Sequence, residues 1–436
     1  MRGRWMATAA MLGLAMPAMA QLLPSLGGGA GAPLGGLTGG ILGQRPGNGT
    51  VLGDGIQGGL DFVGGVALDI SPADLLSLRR ERLRELVRDN RPALDMDDDG
   101  NPIRRDEIVV TAPSDAELAA AQRGGFKILR RETVDGLDLA LVVLAPPRGV
   151  PARKAIVQLQ AADPQGSYAL NHVYEPAFAA LEPGGGPPPR EHADGAVMGL
   201  IDGGIGSHPA FAGATIEQRG FAGAVKASGH GTAVASLMVG QAGAFHGVLP
   251  GGRLLAADVY GGSEANGSAE AIVRALGWLT ARGVRVINVS LVGPPTPLLA
   301  AGVRAVQGRG VLIVAAVGND GPAAPPQYPA SYPGVVAVTG VDARGHVLIE
   351  AGRAAHLDFA APGADMAGAV PGGRWEALRG TSFAAPLVAA SLARLDRGDG
   401  AQALTALAGE ARPGGKVGRG IVCGDCATAP RAVGIK

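Results

Sequence analysis

The chain has 436 residues, of which 47% are hydrophobic, enough material for more than one core. Lysine plus arginine and aspartate plus glutamate balance at 38 each, so net charge gives no argument for nucleic acid or an anionic surface as partner. Seventy-two glycines, well above the average of about 7%, point to a loop-rich fold of small residues with a biased segment.

Met1 to Ala20 reads as a secretory signal: Arg2 and Arg4, an apolar centre from Ala7 to Ala15, and the small-x-small site Ala18-Met19-Ala20. No later run of about 20 apolar residues predicts a membrane span, so an exported, periplasmic or secreted, monomeric protein is expected. Residues 21–67 are glycine-rich and of low complexity, a composition that predicts a flexible segment. Residues 68–106 are expected to hold a helix, N-capped by Ser71 and ending near Asp89, followed by an acidic loop. In that loop Asp95, Asp97, Asp99, Gly100 and Asp106 have EF-hand-like spacing. Pro102 replaces the usual aliphatic residue and no second helix follows, so a solvated acidic turn is preferred.

Residues 107–177 alternate more regularly. Strands are predicted over Ile108 to Thr111, Phe126 to Thr133, Leu137 to Leu144 and Tyr168 to Tyr174, with helices over Asp115 to Arg123 and Ala152 to Ala162. The order β-α-β-β-α-β is that of a ferredoxin-like α+β sandwich. Residues 178–192, with Gly184-Gly185-Gly186 and Pro187-Pro188-Pro189, form a linker.

Residues 193–436 alternate buried strands with helices. Strands are predicted over Val197 to Ile201, Leu254 to Val259, Val284 to Leu291, Val311 to Val317 and Val335 to Val338. Helices are predicted over Gly231 to Val239, Ala269 to Ala281 and Pro297 to Gln307. This is the pattern of an α/β doubly wound, mostly parallel sheet, whose ligands gather beyond the carboxyl ends of the strands. Asp202 ends the first of these strands, His230 stands at a glycine-flanked helix start, and Asn319 follows the Val311 to Val317 strand in a glycine turn. Ser382 lies in Gly380-Thr381-Ser382-Phe383-Ala384-Ala385-Pro386, where a glycine turn meets a helix N-terminus that favours negative charge.

Those four stretches together resemble the subtilisin family of serine proteases. Gly199-Leu200-Ile201-Asp202-Gly203-Gly204-Ile205 with His208-Pro209 is similar to the family's aspartate block, and His230-Gly231-Thr232 to its histidine block. Gly380 to Pro386 is similar to the serine block, and the likeness covers roughly Ala193 to Leu395. The resemblance implies that Ser382 attacks a peptide carbonyl, His230 carries the proton, Asp202 orients the imidazole, and Asn319 donates to the oxyanion. It also implies that Ser290, Leu291, Val292 and Gly293 form an edge strand for an extended protein or peptide substrate, and that Gln327 lines the first specificity pocket. The segment 107–177 then resembles the pro-domain of such precursors, an intramolecular inhibitor, with self-cleavage expected between Glu175 and Ala196. Ala233 replaces a second histidine that many relatives carry. No cofactor is required by this chemistry, calcium is left open, and His208, His246, His346 and His356 have no metal-ligand spacing. Cys423 and Cys426, the only cysteines, are expected to form a local disulfide. A catalytically silent peptide-binding module on the same fold is the alternative, which four intact catalytic-type residues disfavour. A lipase-like hydrolase is disfavoured by the lack of a Gly-x-Ser-x-Gly stretch.

Overall fold

Ser71 opens the first helix as its sequence predicts. The computed structural model describes residues 70–177 and 197–435, all belonging to one unit, Asp54–Lys436. The expected signal, the glycine-rich segment and the linker 178–192 lie outside the described residues. In α1 (Pro72–Asp89) the Ser71 hydroxyl accepts from the Asp74 N–H at 3.2 Å, and the Asp74 carboxylate accepts from the Ser71 N–H at 3.0 Å. That reciprocal pair satisfies two donors left open at a helix start. The buried side chains Leu75, Arg79, Leu83 and Val87 follow at intervals of four, one stripe of the helix.

The acidic segment after α1 is the turn of a hairpin between β1 (Leu94–Met96) and β2 (Pro102–Thr111). Asp97 closes it by accepting from the Asn101 N–H at 2.7 Å and the Asp99 N–H at 3.0 Å, while a His172 ring nitrogen lies 2.9 Å away. Burial pushes the Asp97 carboxyl up, but these hydrogen bonds outweigh it and hold it below the usual carboxylate range. Because β2 begins at Pro102, it runs through the boundary expected at residue 106, and the hairpin is continuous with the antiparallel sheet of residues 107–177.

That sheet also contains β3 (Lys127–Val134), β4 (Leu139–Ala145) and β5 (Tyr168–His172), crossed by α2 (Asp115–Arg123) and α3 (Ala152–Ala162). β5 and β4 flank β2, and β3 lies outside β4, all antiparallel, the ferredoxin-like arrangement that the element order predicts. Both faces are apolar, and the two-residue period of a strand sorts them. Ile108, Val110, Val142 and Leu144 pack with Leu118 of α2 and Ala155 of α3. Val109, Leu141, Val143 and Ala169 instead join a core containing Ile272 and Leu276, so this unit rests its second face on the larger one.

The larger unit is built on seven parallel strands. Their order is Phe359–Pro362, Val336–Val341, Leu312–Ala316, Val286–Val289, Val197–Asp202, Arg253–Asp258, Thr215–Gly220. Central strands are buried on both faces, as continuous runs such as Val286-Ile287-Asn288-Val289 require. Met198, Leu200, Val314 and Ala316 pack on the side of α4 (Gly229–Val239), which carries Val234 and Met238. Ile201, Ile287, Ile313 and Ala315 face α5 (Ala269–Ala281) and α6 (Pro297–Gln307). α7 (Thr381–Leu395) and α8 (Gly400–Glu410) complete the first layer with Phe383, Leu387, Leu392 and Leu407. No described helix is long and apolar enough to cross a membrane.

Three local expectations change. The single strand predicted over Val284 to Leu291 breaks at Ser290, and Leu291–Val292 leaves the main sheet for a separate ladder. Thr215–Gly220 and Phe359–Pro362 are additional strands of that sheet. Beyond α8 the chain returns to it: the Ala360 N–H donates to the Gly420 carbonyl and the Val422 N–H to the Ala360 carbonyl, at 3.0 and 2.7 Å. Cys423 and Cys426 are joined in a disulfide.

Candidate active site

Val197–Asp202 has Arg253–Asp258 on one side and Val286–Val289 on the other, so the winding direction reverses around it and a crevice opens at the strand ends. Asp202, the last residue of that strand, points into this region. Its Oδ1 accepts from the Gly203 N–H at 2.7 Å and from His230 Nδ1 at 2.8 Å. A carboxylate only accepts, so Nδ1 carries the hydrogen of that bond. His230 is the second residue of α4, whose start is capped by the Ser228 hydroxyl accepting from the Gly231 N–H at 2.8 Å. Both Asp202 and His230 are buried, and the imidazole lies 5.5 Å from the ring of Phe383, the residue that follows Ser382 in the chain.

Ser382 is the second residue of α7, entered through Gly380 with φ 141°. Its hydroxyl donates to the Ser290 carbonyl at 3.3 Å, and its own carbonyl accepts from the Ser290 hydroxyl at 2.9 Å. Asn288 Nδ2 donates to that same hydroxyl at 2.8 Å, so two side chains at the end of the Val286–Val289 strand tie it to the serine helix. Asn319 stands beyond Leu312–Ala316. Its Oδ1 accepts from the Thr381 N–H at 3.0 Å, which fixes the amide so that Nδ2 donates to the carbonyl oxygen of Ala177.

Ala177 is the end of an extended segment of this same chain. Tyr174 donates its N–H to the Gly267 carbonyl at 2.7 Å, β6 (Glu175–Pro176) pairs antiparallel with Leu291–Val292, and the Ala177 N–H donates to the Ser290 carbonyl at 3.1 Å. The expected substrate strand therefore holds the chain's own residues 174–177, sandwiched between Gly267 and Ser290 to Gly293. The Tyr174 side chain is wholly buried, and its hydroxyl donates to the Pro294 carbonyl at 2.6 Å. Burial, then the neighbouring Tyr332, raises its ionisation well above the ordinary tyrosine value. Gly293 leaves room for this ring: a Cβ there would stand 2.5 Å from it. Gly293→Ala should therefore dislodge Tyr174 while sparing the main sheet, read as faster hydrogen exchange at the Tyr174 and Ala177 amides. Unchanged protection would refute that fit. Gln327 is buried with its amide donating to the Pro325 carbonyl at 2.7 Å, its stem against Gly318, next to Asn319.

Several functional contacts had no counterpart in the expectations. Arg82 of α1 forks onto Glu175, with Nε 3.3 Å from Oε1 and Nη2 3.2 Å from Oε2, and the same Nη2 lies 2.9 Å from Asp320 Oδ1. Arg79 Nε donates to the other Asp320 oxygen at 3.0 Å. Glu175, chiefly, raises the Arg82 guanidinium above its ordinary value. The available signal was Arg79 in register with the apolar stripe of α1, since a buried charge demands a partner. Two of the histidines without metal-ligand spacing have local partners: His208 Nδ1 accepts from the Ala210 N–H at 3.0 Å, and His356 Nε2 lies 2.8 Å from the Val335 carbonyl.

Known proteins place this architecture. A model of the subtilase family matches residues 193–404. Subtilisin Savinase of Lederbergia lenta is 35% identical over 209 residues, covering 46% of this chain and 75% of that protein. The alkaline protease of Shouchella clausii is 35% identical over 209 residues, covering 46% of this chain and 53% of that protein. Among solved structures, fervidolysin from Fervidobacterium pennivorans, a keratinolytic enzyme related to subtilisin, superposes with a TM-score of 0.62 at 19% identity. That overlap covers 76% of this chain and 62% of the other, and it bears on the fold. Fold and relatives together define a serine-type endopeptidase with a subtilisin-like α/β fold. The chain belongs to the subtilase family.

Proposed function

We propose that this chain is an exported precursor whose Asp202, His230 and Ser382 hydrolyse peptide bonds, matured by cleaving its own N-terminal α+β unit after Ala177. The observation that carries the reading is the Ala177 carbonyl, which receives the Asn319 amide while its strand pairs with Ser290 to Val292. A peptide held this way presents the Ala177 carbonyl at the start of α7. Ser382 Oγ then adds to the carbonyl carbon as His230 takes the hydroxyl proton, and the oxyanion meets the Asn319 amide and the Ser382 N–H. His230 returns the proton to the amine of Phe178, which leaves, and water hydrolyses the Ala177 acyl-enzyme by the same route. Asp202 supports the imidazolium formed in both halves. Backbone pairing continues after the bond breaks, so the cut segment stays in the cleft as an inhibitor, and residues 70–177 act as the intramolecular pro-domain. Export rests on the composition of Met1 to Ala20. None of these steps calls on a metal, calcium included.

The test is the intact mass and N-terminal sequence of the full chain beside Ser382→Ala, both expressed without residues 1–20. The wild type is expected to yield a product beginning at Phe178, and the variant to stay whole. A whole wild-type chain, or equal cutting of both, would sink the reading.

A further inference from the structure

Asp320 directly follows Asn319, yet both its carboxylate oxygens are taken by arginines from the far N-terminal helix: Arg79 on Oδ2 and Arg82 on Oδ1. Its side chain is 6% exposed, and among the described residues these are its ion pairs. One nitrogen, Arg82 Nη2, bonds both Asp320 and Glu175, so the two carboxylates are separated by a single guanidinium edge. A second acid shares the region. Burial first, then Glu175, pushes the half-buried Glu264 carboxyl up, while Arg82 acts in the opposite sense. Glu264 opens the turn Glu264–Asn266 that leads to Gly267, the residue whose carbonyl accepts from the Tyr174 N–H. The larger unit therefore contributes two acids, Asp320 and Glu264, near the path of residue 175, and among the described residues the cations paired with Asp320 come from α1.

We infer that Asp320 is a specificity determinant, selecting peptides with an arginine or lysine at the position Glu175 occupies, two residues before the one whose carbonyl is attacked. The inference rests on residues 174–177 marking the substrate path. A peptide can reach that path only after segment 174–177 has left. Since Glu175 is tied to α1 through Arg82, release of both leaves Asp320 without its arginines. A basic side chain at that position brings its own charge to the place of the Arg82 guanidinium, where a planar fork meets a carboxylate at short range. An acidic side chain there faces Asp320 and Glu264 with nothing between, a repulsive arrangement of the kind that discriminates between partners. The chain's own Glu175 is accommodated only because Arg82 accompanies it. Glu175 therefore suits an inhibitor that carries its bridging cation along, and disfavours the same sequence as a free substrate.

The experiment uses the self-processed protein after its cut N-terminal segment has been dissociated and removed, and three peptides ending in a chromogenic amide after alanine: Tyr-Arg-Pro-Ala, Tyr-Gln-Pro-Ala and Tyr-Glu-Pro-Ala. At low salt kcat/KM should fall in that order, with about tenfold or more between the arginine and glutamate peptides. The spread should shrink as salt rises, because the pair becomes solvent-accessible once α1 departs. In Asp320→Asn the ratio should collapse toward one, and since the ratio is taken within one protein, a general loss of activity cancels. Equal rates on all three peptides in the wild type overturn the inference while leaving the endopeptidase reading intact, as does a ratio that Asp320→Asn leaves unchanged. If no peptide is cut, the substrate-path reading fails and takes the inference with it. Should Asp320→Asn not fold, the salt dependence of the wild-type ratio decides: a ratio insensitive to salt also overturns it.

Discussion

Asp202→Ala is expected to lower kcat by about 10⁴-fold, the order of loss known for the corresponding aspartate of subtilisin itself. Here the geometry behind the expectation is explicit. Asp202 Oδ1 is the acceptor for His230 Nδ1 at 2.8 Å, and both groups are buried, so no solvent can substitute for the lost carboxylate. Without it the imidazole loses the acceptor of its Nδ1 hydrogen, and the cation that would form on the proposed proton transfer from Ser382 loses its carboxylate. The Gly203 N–H loses the same acceptor, which should cost roughly 1–3 kcal/mol of stability as a buried unmet donor. The variant should therefore melt lower, stay largely unprocessed and retain only slow turnover. Thermal unfolding followed by circular dichroism, together with kcat on a peptide amide after wild-type protein has cut the N-terminal unit in trans and it has been removed, separates the two effects. A folded variant that loses less than tenfold would show that Asp202 does not orient the base.

The sequence made the local parts of this molecule legible because local chemistry specifies them. α2, α3, α5 and α6 begin and end at the predicted residues: Ser114, Ser268 and Thr296 cap three of them through their own hydroxyls. Thr215–Gly220 escaped because Thr-Ile-Glu-Gln-Arg-Gly lies at the edge of a sheet and has neither a continuous apolar run nor strict alternation. The break at Ser290 escaped because Val284 to Leu291 is apolar through most of its length, and only tertiary pairing with Glu175–Pro176 explains why Leu291 turns away. Asp202, His230, Asn319 and Ser382 stood out because each sits where a strand end or a helix start meets glycine. The Arg82–Asp320–Glu175 cluster did not, since its members are separated by up to 238 residues and each charge alone reads as a solvated surface group.

That cluster changes what the N-terminal region does. α1 lies outside the β-α-β-β-α-β pattern, yet Leu75 packs over Gly321 and two arginines hold Asp320, the residue next to Asn319. The cleft is thus covered from two sides. The Glu175–Pro176 strand pairs with its floor, and α1 neutralises the acid at its rim. The second, apolar face of the ferredoxin-like sheet anchors both by packing on α5. Cutting the chain after Ala177 would remove none of these contacts, so under the proposed maturation processing and release are separate events.

Asn319→Ala should reduce kcat by roughly 10²–10³-fold, the magnitude known for the oxyanion-hole asparagine of subtilisin, with a much smaller change in KM. The KM expectation comes from where binding is located. The chain's own segment 174–177 is held by Gly267, Ser290 and the Leu291–Val292 strand, none of which involves the Asn319 side chain, and the proposed substrate path follows it. The amide instead meets the Ala177 carbonyl oxygen, the atom that would gain charge on the proposed attack by Ser382, so its contribution should grow toward the transition state. Asn319 has a second bond, from the Thr381 N–H to Oδ1, which positions the turn before α7. Asn319→Asp keeps that acceptor while replacing the donor with a charge that repels the oxyanion, so it should be at least as slow as the alanine variant. Single-turnover cleavage of a peptide amide, alongside the rate at which the chain begins at Phe178, measures both. If Asn319→Ala raised KM and left kcat unchanged, its amide would be a ground-state binding contact, and the oxyanion role would belong to the backbone N–H of Ser382 alone.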